Sequence, residues 1–139
     1  MSDKLSKKLQ LKIITPQKIL VDEQVDAVYS KSITGEFGIL PDHIPYMTDL
    51  DIGVTEYIKE SKKEYVSTIG GVIQVKDNII TVLSDTAELG EQIDITRAKA
   101  AKERAEARLR KGTADIDVDR AQIALARAIA RIKASTKRR

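Results

Sequence analysis

At 139 residues the chain has room for one core or two small ones, and its formal net charge is only +3. It has no cysteine and one histidine, His43, which removes disulfides, thiolate metal sites and cysteine nucleophiles and leaves any histidine-based metal site or Ser-His-Asp triad without visible partners. No apolar run approaches the roughly 18 residues of a membrane span. The opening Met1-Ser2-Asp3-Lys4 lacks the apolar stretch of a secretory signal.

Residues 1–8 are polar and lysine-rich and read as a frayed terminus. From Leu9 to Leu83 the apolar residues recur with a period near two, interrupted at short intervals by turn residues. Leu9, Leu11 and Ile13 alternate with polar residues up to Pro16; Ile19–Val21 and Val25–Ser30 follow. In Gly35-Glu36-Phe37-Gly38-Ile39-Leu40-Pro41-Asp42-His43-Ile44-Pro45, glycines and prolines frame large apolar residues. This segment is expected to bury Phe37, Ile39 and Leu40, to turn out at Pro41, and to leave Glu36, Asp42 and His43 on a rigid polar loop. Leu50, Ile52 and Val54 alternate again, then Glu56–Ile58; Lys59–Lys63 is a charged turn, and Tyr65–Ile69 is a strand expected to end at Gly70-Gly71. Val72–Val75 and Ile79–Leu83 form a hairpin about Lys76-Asp77-Asn78. Many short strands with regular turn signals predict a β-sandwich or flattened barrel.

Around Ala87–Gln92 the period changes. Asp94 suits a helix cap, and Ile95, Ala98, Ala101 or Lys102, Ala105 and Leu109 recur at helical spacing. Lys111-Gly112-Thr113-Ala114 breaks the helix, with Gly112 suited to its C-terminal cap. Asp115 or Asp117 then caps a second helix running to about Ala134, with a stripe of Ala121, Ala124 or Leu125, Ala128 and Ile132. A loop this short predicts an antiparallel hairpin. The fold is thus an N-terminal β domain over residues 1–88 and a C-terminal two-helix unit over 89–139. Alanine buries little area, so the hairpin should be held thinly while keeping high intrinsic helicity. That combination suits helices that survive a change of neighbours.

Charge follows the same division. Residues 94–139 carry 14 Lys+Arg against 6 Asp+Glu, and residues 1–93 carry 10 against 15, giving +8 and −5. The helices also repeat one another. Ile93–Arg110 laid over Ile116–Lys133 is identical at nine of eighteen positions, so each helix carries arginines at i, i+7 and i+11: Arg97, Arg104 and Arg108, then Arg120, Arg127 and Arg131. At about 100° per residue each set lies near one line. Such stripes are either solvated basic faces or an anion site built from converging guanidinium groups. No GxxxxGK[ST] loop is present to suggest a catalytic NTPase.

GEFGILPDHIP, Ile69-Gly70-Gly71, Ile93-Asp94-Ile95-Thr96-Arg97-Ala98 and the Ala/Arg-rich second helix occur in the order found in the epsilon subunit of bacterial F-type ATP synthases, which the chain resembles from about Leu9 to Ile132. The resemblance implies a non-catalytic rotor subunit on the cytoplasmic face of the bacterial membrane, attached through its complex. Its β domain would sit against the gamma subunit and the ring of c subunits, with Glu36, Asp42 and His43 at that interface. The hairpin would have two states, folded onto the β domain or extended toward the catalytic alpha/beta head, where it blocks rotation in the hydrolysis direction. The family's nucleotide motif falls on Glu88, Ile93, Asp94, Arg97, Ala98, Arg104, Arg127 and Arg131. ATP would therefore be a regulatory ligand of the folded hairpin, with any Mg²⁺ requirement open and no structural metal. Two readings from other classes stand beside this one. A basic helical hairpin could bind nucleic acid through phosphate contacts, although aromatics are scarce, with no Trp and one Phe. A small-molecule enzyme in the β domain lacks a convincing acid/base constellation.

Overall fold

The computed structural model describes residues 7–112 and 115–136. Residues 1–6, 113–114 and 137–139 lie outside the described residues, and with them Thr113-Ala114 of the expected helix break and most of the basic tail. Eight strands precede two helices: β1 (Leu9–Ile14), β2 (Ile19–Val25), β3 (Ala27–Ser32), β4 (Gly35–Ile39), β5 (Tyr46–Lys59), β6 (Lys62–Lys76), β7 (Ile79–Leu83), β8 (Thr86–Leu89), a 3-10 turn at Gly90–Gln92, α1 (Ile95–Lys111) and α2 (Asp115–Thr136). The strands form one coiled sheet in the order β2-β1-β7-β6-β5-β3-β4, with β8 pairing to β6. All ladders are antiparallel except β1–β7. The sheet folds over on itself, giving the expected sandwich followed by a helical hairpin.

Period-two patterning explains the core. Leu9, Leu11 and Ile13 on β1 are fully buried, while the alternate residues Gln10, Lys12 and Ile14 are not. They pack with Val25, Val28, Ile39, Val66, Ile73, Val75, Ile80 and Val82 from five other strands. Each fully buried Leu, Ile or Val contributes about 1.5–3 kcal/mol of transfer free energy, so the sandwich has the larger share of the apolar stabilisation. The interior also holds a hydroxyl chain: Ser30 Oγ lies 2.8 Å from Thr55 Oγ1, which lies 3.0 Å from Thr68 Oγ1. Bonded to each other, these groups avoid the cost of burial without a partner.

Within the sheet the structure departs from the sequence reading at four places. β6 does not end at Gly70-Gly71 but runs through them; β5–β6 pairing lapses only between Leu50↔Gly71 and Ile52↔Ile69. Gly70 (φ +70) and Gly71 (φ +122) let one long strand bend from one layer to the other. Leu40 is 56 % exposed, because β4 ends at Ile39 and the chain has already left the sheet. Glu36 lies on β4, paired with Lys31, and so does not share the loop of Asp42 and His43. Residues Thr86–Leu89, where no strand was expected, add β8 to the edge of β6.

The helices follow the predicted stripes. Ala98 and Ala105 on α1, and Ala121 and Ala128 on α2, are buried. Asp94 caps α1, its Oδ1 accepting from the Arg97 amide at 3.0 Å, and Gly112 closes it in the left-handed conformation. α2 already starts at Asp115, so Asp115 and Asp117 both lie within the helix rather than at its cap, and the cap position lies outside the described residues. The helix also has a second apolar face that the stripe did not reveal: Ala130 and Ala134 are buried and α2 packs on β5 and β6.

A Cβ added at Gly71 would lie 2.2 Å from the Leu83 carbonyl oxygen, at a φ that side chains rarely adopt. Gly71→Ala should therefore lower unfolding stability by about 2–3 kcal/mol. Urea denaturation checks this, and a midpoint equal to that of the parent chain would show that the bend accommodates a side chain.

Candidate functional site at the strand-to-helix junction

Chain alternation decides which residues meet the hairpin. On the outer face of the sheet, Tyr65 and Ser67 of β6 stand between Val54 and Glu56 of β5 and Glu88 of β8. α2 lies across this face. A small second core forms there from Tyr65, Ile93, Ala98 and Ala134, with Val54 and Ile132 packed against it. Burial, followed by its hydrogen bond to Glu56, holds the Tyr65 phenol above its ordinary pKa, so the hydroxyl stays protonated and donates.

Across this junction Arg131 Nε donates to Glu88 Oε1 at 2.7 Å. The side chains are 28 % and 39 % exposed, so the pair is partly shielded. It directly joins the basic hairpin to the acidic β domain. Ser67, opposite Glu88 in the β6–β8 ladder, is fully buried, and its Oγ has no hydrogen-bond partner among the described residues.

The predicted nucleotide residues are thus distributed along one seam. Glu88 closes β8, Ile93 is buried beneath the hairpin, Asp94 caps α1, and Arg97 stands exposed on its first turn. Antiparallel packing sets this turn beside the last turns of α2, where Ala98 meets Ala134 and Arg131 reaches Glu88. Ala98 contributes packing, being only 4 % exposed. Arg104 and Arg127 lie further along the hairpin, both exposed. Among the described residues, no ion pair engages Arg97, Arg104 or Arg127. The arrangement offers uncommitted guanidinium groups beside a carboxylate and a capped helix start, chemistry suited to an anion carrying a hydrogen-bonding base. The resemblance counted Glu88 among the nucleotide residues; in the structure its Oε1 accepts from Arg131. It overlooked Tyr65 and Gly90, whose only sequence signals are an aromatic on a strand and a glycine between a strand and a helix.

The proposed interface residues occupy another part of the sandwich. Asp42, at φ +67, exchanges hydrogen bonds with Asn78: the Asp42 amide donates to Asn78 Oδ1 at 2.6 Å and Asn78 Nδ2 donates to Asp42 Oδ1 at 3.2 Å. Lys7 Nζ adds a bond to Asp42 Oδ2 at 2.8 Å. The Lys7 bond first, and the Asn78 bond next, hold the Asp42 carboxyl below its ordinary pKa. The clasp therefore persists above the ordinary carboxylate range and is lost as pH falls through that lowered value. His43 Nδ1 lies 2.7 Å from the Ile44 carbonyl, and its ring leans on Tyr46. Beside this pinned loop Leu40, Ile44 and Met47 are 56 %, 74 % and 65 % exposed, so the surface is more apolar than the sequence reading supposed.

The family described as "ATP synthase, Delta/Epsilon chain, beta-sandwich domain" matches residues 8–90, and "ATP synthase, Delta/Epsilon chain, long alpha-helix domain" matches residues 91–136. The chain belongs to the epsilon chains of ATP synthase. The epsilon chain of Carboxydothermus hydrogenoformans is 45 % identical over 109 residues, covering 78 % of this chain and 81 % of that one. That of Nitratidesulfovibrio vulgaris is 48 % identical over 105 residues, covering 76 % and 78 %. A chain in the Euglena gracilis mitochondrial ATP synthase shares the fold with a TM-score of 0.79 at 24 % identity, covering 88 % of this chain and 78 % of that one. As an epsilon chain it is a non-catalytic subunit, which favours the rotor reading over nucleic-acid binding. No helix among the described residues is long and apolar enough to cross a membrane.

If the Glu88–Arg131 pair fastens the hairpin, Glu88→Gln should loosen α2 by about 0.5–1 kcal/mol, at the upper end for a partly exposed pair, and the effect should shrink at high salt. Amide exchange along α2 measures this. Unchanged protection at low salt would mean that the pair follows docking without supporting it.

Proposed function

We propose that this epsilon chain is a central-stalk subunit whose hairpin acts as an ATP-sensitive brake on hydrolysis. The observation that carries the reading is the junction itself. The hairpin rests on the sandwich through a small alanine-lined core and, among the described residues, one ion pair, while Arg97 stands exposed near that contact and Arg104 and Arg127 stand exposed further along the hairpin. A ligand bound at this seam would span α1 and α2 in their folded arrangement, contacts that a separated hairpin would not offer. ATP would then shift the population by the difference between its affinities for the two states, and by no more. With ATP abundant the hairpin stays down; with ATP scarce it extends toward the catalytic head and inhibits.

Solved assemblies that share the fold include F1 with its c-ring and a central stalk with its c-ring. By this analogy the sandwich would face the gamma subunit and the c-ring, holding the chain peripherally at the cytoplasmic side of a bacterial membrane. The loop of Asp42 and His43, pinned by Asn78 and flanked by exposed Leu40, Ile44 and Met47, suits such a contact. Glu36 on β4 would contribute from the neighbouring strand. Mg²⁺ would enter, if at all, with the nucleotide.

Calorimetric titration of ATP into the isolated chain tests the ligand. Saturable one-to-one binding is expected, weakened at least tenfold by Arg127→Ala, the scale of a lost charge-assisted bond. An unaltered affinity in the variant would remove Arg127 from the site. Truncation after Gly112 tests the brake: the assembled synthase should keep the subunit and hydrolyse ATP faster. Loss of the subunit from the complex would instead place its anchorage on α2.

A further inference from the structure

We propose that Gly90 is the steric gate on hairpin docking, so that the missing side chain at this position sets the ratio of docked to undocked hairpin. The proposal rests on the two-state reading above and names what balances it. Gly90 begins the 3-10 turn between β8 and α1 and is buried. Its φ is not in the left-handed region, so the backbone does not demand glycine there. Space does. A Cβ built at Gly90 would lie 2.3 Å from the carbonyl oxygen of Ala134 and 3.0 Å from that carbonyl carbon.

The obstructing atom cannot move aside as a side chain would. It is a main-chain oxygen in the last turn of α2, fixed by the helix that carries it, while Ala134 itself is fully buried against Tyr65, Ile93 and Ala98. The other close neighbour is the Tyr65 carbonyl at 3.1 Å, which belongs to the sheet and would need to yield by only a few tenths of an ångström. A methyl group at position 90 is therefore tolerable to the sandwich and intolerable to the docked helix. It would act on one conformational state, and the undocked state would carry little of the cost. Glycine at this junction permits the closest approach of α2, which an alanine-faced helix needs because its short side chains reach little surface from further away.

The test uses the full chain, which has no native cysteine, carrying spin labels at Lys63→Cys and Gln122→Cys, two exposed positions on β6 and α2. Distance distributions are recorded with and without ATP. In Gly90→Ala the undocked-to-docked ratio should rise about tenfold or more, the scale of overpacking a fitted contact, and more ATP should be needed to restore docking. A distribution unchanged by Gly90→Ala overturns the gate, whatever ATP does. Undocking that ATP fails to reverse leaves the gate standing and removes the ATP reading. Amide spectra of β1, β2 and β7, strands away from the α2 contact, supply the second measurement. They should match those of the parent chain; widespread shifts or unfolding would show that the sheet bears the clash, and would also overturn the proposal.

Discussion

The fit of an alanine-faced helix against a sheet is the constraint on which the two-part architecture depends. Alanine offers one methyl group, so α2 gains contact only where its backbone can come close. At Ala134 it does, over a glycine and beside the Tyr65 carbonyl. The second core formed there is small, with four buried residues against fourteen in the sandwich. The one cross-domain ion pair among the described residues is partly exposed, and such pairs contribute about 0–1 kcal/mol. Stability is therefore uneven along the chain: the sandwich holds itself, and the hairpin is attached to it.

On the proposed reading, this unevenness would give a ligand something to act on. Moving a population from mostly undocked to mostly docked requires a differential affinity of about 5.5 kcal/mol when the starting ratio is 1:99. A heavily buried interface would leave no undocked population to recover, and a hairpin with no interface would give a ligand nothing to complete. The alanine seam, Glu88–Arg131 and the exposed arginines lie between those limits. The high helix propensity of α1 and α2, each rich in Ala, Arg and Lys, lets them remain helical when their neighbours change.

Much of this was legible in the sequence, for identifiable reasons. Leu9, Leu11 and Ile13 alternate cleanly because β1 is buried on one face, and Asp94 and Gly112 mark α1 because caps depend on local chemistry. The misreadings arose where a local signal had a non-local cause. Gly70-Gly71 looked like the end of a strand, since a bend and a stop use the same residue; pairing with β5 on both sides makes it a bend. Leu40 looked buried by hydrophobicity, though the ladder partner of β4 runs out one residue earlier, at Val28↔Ile39. Among the residues that the resemblance assigned to the nucleotide, Asp94 was legible as a helix cap and Arg97 as the start of an arginine stripe, while their place in a site came from the resemblance alone. Glu88–Arg131 spans 43 residues, and no periodicity reports such a contact.

The charge division acquires a physical meaning through that pair. A +8 segment joined to a −5 segment should be drawn together at long range, yet only Arg131 and Glu88 make an ion pair across the junction among the described residues. The remaining attraction is diffuse and screened over about 8–10 Å at physiological ionic strength, so it favours encounter without fixing geometry. Geometry comes instead from close contact at Ala134, Tyr65 and Gly90. On the two-state reading proposed above, electrostatics would bring the hairpin back to the sandwich, while steric fit at the strand-to-helix junction would decide whether it settles. With the two functions assigned to different residues, the arginines are left available for an anionic ligand without dissolving the contact that positions them.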